Sequence, residues 1–215
     1  MTISLEPVHI MIDNETLSVL PNAHIAQVGL VQFDPHTFTP LAEKVISISH
    51  DRQPGTAIDA STVAWWMAQD KETQQSVFYG DEDRISIRSA CCEFYRFVID
   101  SCRRTWQEDE TPSLSDLHQS VHIWAKPARF DIPQWENAFR HADVQVPWFR
   151  RNVNDVQSLL NDAERNGFVA SALKQLPTGI HMPLNDCLWQ IRLLKALRSL
   201  NPANDRHYHP TSGDG

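Results

Sequence analysis

Residues His9-Ile10-Met11-Ile12-Asp13-Asn14-Glu15-Thr16 run from an apolar triplet straight into two acids separated by one residue. The triplet lacks polar alternation and reads as a strand buried on both faces. Side chains alternate along a strand, so Asp13 and Glu15 project to one side and Asn14 to the other. Two unit charges about 4 Å apart repel by about 4 kcal/mol at an effective dielectric near 20, so an uncompensated pair at a buried strand end is unfavourable. Either the strand has ended and both acids are solvated turn residues, or a cation lies between them. A lone D-x-E favours the first reading, and only partners elsewhere in the chain reverse it.

The rest of the chain predicts strands first and helices later. Ala23 to Phe33 alternates in part and stops at Asp34-Pro35, a turn signal, and Val45 to Ile48 supplies a third strand. The three form an antiparallel meander with the first innermost. Ser61 or Thr62 can cap a helix through Val63-Ala64-Trp65-Trp66-Met67; neighbours on a helix lie about 100° apart, so the two tryptophans cannot both face one core centre. Ile87, Cys91, Phe94 and Val98 make an amphipathic stripe ending near Cys102, and residues 103–119 read as a polar insertion or mobile loop. Val121 to Trp124 returns as a strand. A helix follows with Ile132, Trp135, Ala138 and Phe139 inward, for which Asp131 is a good N-cap. Two more helices are expected, Val153 to Arg165, stopped by Asn166-Gly167, and about Pro183 to Leu200. Residues 201–215 lack periodicity and are expected to be a disordered tail, leaving residues 1–200 as one domain.

Composition removes several classes of function. With 215 residues, 41% of them hydrophobic, the chain can build a real core. A net charge of −8 argues against a protein that coats nucleic acid, which needs many basic residues to neutralise phosphates, so any such contact is local. No segment has the length and apolarity of a signal peptide or a membrane span, and a soluble, cytoplasmic protein is expected. The 4 cysteines, Cys91, Cys92, Cys102 and Cys187, include no C-x-x-C pair and read as free core thiols, indicating neither zinc nor disulfides.

Later acids change the odds on Asp13 and Glu15. Asp131 follows Phe130 shortly after the returning strand, and His181 stands five residues ahead of Asp186 at the start of the last helix. Each has an ordinary explanation alone, Asp186 included, because a helix N-terminus favours an anion. Together they form an ordered series: D-x-E at the end of a first strand, F-D after a later one, and H-x-x-x-x-D opening a C-terminal helix.

With "MIDNET", "VHIWAKPARFD" and "HMPLND" as its three motifs, the chain resembles the DnaQ-like 3′-5′ exonucleases of the DEDDh type, a branch of the ribonuclease H-like fold. "TVAWWM" and "VNDVQSLL" also look like a compact bacterial and phage subgroup, of exonuclease A or exonuclease VIII type. The resemblance implies an α/β architecture, a central mixed sheet with the three-stranded meander, flanked by helices. It further implies two divalent cations, Mg²⁺ or Mn²⁺, with Asp13 bridging both, Glu15 and Asp186 completing the first and Asp131 holding the second. All-carboxylate ligation suits these ions better than zinc. His181, with an unperturbed pKa of about 6.5, would take the proton from the attacking water. Single-stranded RNA or DNA 3′ ends would be the substrate, nucleoside 5′-monophosphates the product, and a homodimer is plausible from the subgroup.

Substrate contacts are expected from Thr16, from Trp65 or Trp66 stacking on a terminal base, and from Lys126 and Arg129 on the backbone phosphate. Core packing for the tryptophans and surface solvation for the two basic residues stand equally open. A second class of function, a catalytically silent module of the same fold that binds nucleic acid or protein, is disfavoured by retention of all four acids and the histidine.

Overall fold

The computed structural model describes residues 5–51, 53–79, 84–173 and 182–200. Strands β1 (Val8–Thr16), β2 (Ile25–Phe33) and β3 (Pro40–Ser47) form the expected antiparallel meander. Strands β4 (Val121–Ala125) and β5 (Val153–Asp155) extend it in parallel, giving the order β3-β2-β1-β4-β5. β1 is therefore central, as its unbroken apolar triplet requires.

The parity of β1 sorts the molecule into two layers. Val8, Ile10 and Ile12 pack into the larger core with helices α3 (Ile87–Trp106) and α5 (Ala128–His141), around Phe94, Trp135 and Phe139. Met11 faces the opposite side, into a cluster built from α6 (Val156–Arg165) and α7 (Pro183–Ser199) with Val156, Leu160, Ile191 and Leu194. Asp13 and Glu15 share the parity of Met11 and so look toward α7, whereas Asn14 shares that of Ile12 and looks toward α5.

α7 can lie against the sheet because β2 offers a glycine beneath it. A Cβ at Gly29 would meet the backbone carbonyl of Pro183 and stand 2.7 Å from the Leu184 nitrogen. Cys187 continues the close approach, its Sγ donating to the Gly29 carbonyl at 3.3 Å.

Helices α1 (Ala60–Met67), α2 (Lys71–Gln74) and α4 (Leu114–Ser120) complete the α-helices among the described residues. Several boundaries differ from the sequence reading, each for a local reason. The helix around the tryptophans, Ala60–Met67, is preceded by Asp59 rather than by Ser61 or Thr62, and the Asp59 carboxylate accepts from Ser18 Oγ at 2.6 Å instead of capping. Residues 103–119 are not one loop. α3 runs on to Trp106, ending at Gln107 in a left-handed conformation, and Ser113 and Asp116 form a reciprocal capping box that starts a helix at Leu114–Ser120. The helix expected from Val153 begins at Val156, since Val153–Asp155 pairs with β4. Asp155 accepts from Gln157 N and Ser158 N, and also from Ala128 N at 2.9 Å, so one carboxylate fixes the starts of both α5 and α6. Gly167, at φ +90°, follows α6 as expected. Cys91, Cys102 and Cys187 are buried free thiols, but Cys92 is exposed because it lies off the apolar stripe of α3. The C-terminal tail, 201–215, lies outside the described residues.

Candidate active site

Three acids converge where the C-terminal half of β1 meets the first turn of α7. One ligand oxygen from each of Asp13, Glu15 and Asp186 lies within 4.8 Å of the others. Glu15 is buried, and its Oε1 has no hydrogen-bond partner. Asp13 receives a hydrogen bond at Oδ1 from Gln190 Nε2 at 2.7 Å, one helical turn beyond Asp186. Burial, followed by the negative charges of Asp131, Glu15 and Asp186, holds the Asp13 carboxyl well above the usual carboxylate range. Glu15 is raised for the same reasons, burial first and then Asp186 and Asp131.

The fourth acid stands beside this group. Asp131 lies in the first turn of α5, which starts at Ala128 with Pro127 before it, so Asp131 is not the N-cap that its sequence position suggested. Its carboxylate reaches across to β1 instead. β4 pairs with β1 only as far as Met11, opposite Trp124, which leaves the rest of that edge open. Asp131 Oδ1 accepts the Asn14 backbone N–H at 2.9 Å there, satisfying a group the ladder abandons. Oδ2 is buried with no partner. Burial pushes the Asp131 carboxyl up to about 7, with the Asn14 N–H pulling the other way.

Four acids, two of them with an orphaned buried oxygen, are an arrangement that neutral surroundings do not satisfy; divalent cations with oxygen ligands do. The donor set fits the metal ions that the fold implies.

A cavity of about 330 Å³ opens next to Glu15, bounded by Thr16, Trp65, Trp66 and Phe130. The tryptophans split as helical geometry requires: Trp66 is buried and donates from Nε1 to the Thr16 carbonyl at 2.8 Å, while Trp65 is 45% exposed. Thr16 spends its hydroxyl on the Ser18 carbonyl at 2.8 Å. Lys126 lies over the Trp189 ring at 5.3 Å, and Arg129 is exposed on α5. His181 lies outside the described residues.

Sequence reasoning missed Asn14, Gln190 and Gly29. Asn14 was in view between the two acids, and its polar side chain on the parity of Ile12 was the signal that it meets something inside. Gln190, four residues after Asp186, shares that residue's helix face. Gly29 carried no signal in the sequence alone.

Comparison with known proteins finds the same fold. The chain resembles a product-bound exonuclease I (TM-score 0.63, 11% identity, 92% of this chain and 45% of that one) and an apo exonuclease I (TM-score 0.63, 12% identity, 92% and 43%). It also resembles E. coli exonuclease I in complex with a dA16 oligonucleotide (TM-score 0.63, 13% identity, 92% and 42%). At these identities the likeness is one of fold, and the chain spans less than half the length of these exonucleases. No curated protein sequence matches it significantly. The homodimer implied by the subgroup resemblance finds no support in these matches. Among the described residues no helix is long and apolar enough to cross a membrane. A family model matches residues 8–198, nearly the whole described chain, and the protein belongs to the family of the 3′-5′ exoribonuclease Rv2179c-like domain.

Proposed function

We propose that this protein is a two-metal 3′-5′ exonuclease that removes nucleoside 5′-monophosphates from the 3′ end of single-stranded nucleic acid, with RNA favoured by its family and residues 1–200 as the catalytic domain. The observation that carries the reading is the meeting of Asp13, Glu15 and Asp186 within 4.8 Å, with Asp131 offering an unpaired oxygen beside them. Mg²⁺ or Mn²⁺ ions bound as a pair would stabilise the attacking and leaving oxygens of the phosphodiester. Asp13 is in electrostatic reach of all three other acids, which suits it to serve both ions. Glu15 and Asp186 would help hold one ion and Asp131, through Oδ2, the other. His181 is the base that takes the proton from the attacking water. Trp65 presents its exposed ring to a terminal base, and Lys126 and Arg129 meet the backbone phosphate.

Incubating 5′-labelled RNA and DNA oligonucleotides with Mg²⁺ or Mn²⁺ tests this directly. A ladder that shortens from the 3′ end is expected, faster on RNA. Internal cuts would make the protein an endonuclease, and no cleavage of either polymer under both metals would leave a silent binding module.

A further inference from the structure

Asn14 spends its whole side-chain amide and its backbone N–H on one helix. Nδ2 donates to the Asp131 carbonyl at 3.2 Å and to Gln134 Oε1 at 2.9 Å, and Oδ1 accepts from Trp135 Nε1 at 2.7 Å. The backbone N–H holds Asp131 Oδ1. Asn14 and Asp131 are both buried, as are Gln134 and Trp135, so water does not compete for these bonds. Only a side chain with a donor and an acceptor side by side can serve the carbonyl of Asp131 and the indole of Trp135 together.

We infer that Asn14 is a positioning residue for Asp131, fixing its carboxylate so that Oδ1 is occupied by the strand and Oδ2 alone is presented to a cation. Asp131 then binds through one oxygen, and the α5 side of the metal pair is set by the residue lying between the two acids of the opening motif. The inference rests on the two-ion reading above. It adds that the D-x-E segment supplies ligands from one face and anchors the opposing ligand from the other.

The test is Mn²⁺ binding to the full chain by calorimetry and electron paramagnetic resonance, with kcat and KM on an RNA oligonucleotide. Wild type should take up two Mn²⁺. Asn14→Leu should keep the first and bind the second roughly 10–100-fold more weakly, with kcat falling in proportion and KM unchanged. Should Asn14→Leu fail to fold, Trp135→Phe, which removes one anchor of the amide and keeps an aromatic ring, should weaken the second ion alone. In metal-free protein, amide exchange at Asn14 should quicken in Trp135→Phe, because a loosened Asp131 no longer holds that N–H; an unchanged exchange rate overturns the inference. Wild-type affinity for both ions in Asn14→Leu or Trp135→Phe, beside a wild type that binds two, overturns the inference and spares the two-ion reading. A wild type that takes up fewer than two overturns both.

Discussion

Gly29 lies so close beneath Pro183 that the space a Cβ would need is filled by the Pro183 carbonyl, with the Leu184 nitrogen at 2.7 Å. Backbone cannot swing aside as a flexible side chain can, so Gly29→Ala must push α7 off the sheet, at a cost of about 1–3 kcal/mol. Because α7 carries Asp186 and Gln190, the shift also separates the acids. We expect a lowered melting temperature together with weaker Mn²⁺ binding. An alanine variant with wild-type values of both would show that the helix has room to spare.

The acid cluster itself opposes folding when no cation is present. Ionised oxygens no more than 4.8 Å apart repel by at least about 3.5 kcal/mol per pair at an effective dielectric of 20, and burial adds to the cost. Asp13→Asn should therefore abolish cleavage while raising metal-free stability by roughly 1–3 kcal/mol, read by urea denaturation at pH 8 in chelator. Retained cleavage, or a clear loss of stability, would contradict the assignment.

How far the sequence revealed this site follows from the range of the interactions involved. The shared face of Asp13 and Glu15 and the burial of Ile10-Met11-Ile12 come from alternation along one strand, and were legible. So was the split between Trp65 and Trp66, from helical geometry. The start of α5 was not, because Asp155, 27 residues away, caps it. Nor was the anchoring of Asp131, whose partner Asn14 lies 117 residues away. Gly29 looks like any strand glycine until α7 is laid against it.

His9 predicts a distinct acid sensitivity. Burial, aided by the neighbouring His122, Arg198 and His36, holds its pKa down at about 3, and Trp124 Nε1 donates to its Nδ1 at 3.0 Å. The folded form thus keeps His9 neutral where the unfolded chain would protonate it, from about pH 6.5 downward. The unfolded state binds more protons in this window, so the contribution of His9 is complete above pH 6.5 and is lost as pH falls toward 3, by up to about 1.4 kcal/mol per pH unit. The raised carboxyls have the opposite sign, so the comparison must be with a variant. In chelator, His9→Phe should gain stability relative to wild type as pH drops from 7 to 4; parallel curves would mean that His9 does not resist protonation.

The paired tryptophans should separate binding from stability. Trp65 is 45% exposed beside the cavity that borders Glu15 and rests edge-on against Trp66 with ring centroids 4.8 Å apart, so Trp65→Ala should cost only about 1–2 kcal/mol of stability. Base stacking is worth about 1–3 kcal/mol, so the same variant should raise KM for a single-stranded oligonucleotide roughly 5- to 150-fold. Trp66, 2% exposed and bonded to the Thr16 carbonyl, packs with Leu17, Ala26 and Val77. Trp66→Ala should cost about 3–5 kcal/mol of stability through the cavity it leaves. Trp66→Phe keeps most of the packing but strands the Thr16 carbonyl, for a loss of about 1–3 kcal/mol. Denaturation curves and steady-state kinetics on the three variants decide the matter. A Trp65→Ala protein with unchanged KM would remove that ring from the substrate path and leave the cavity beside Glu15 without its stacking surface.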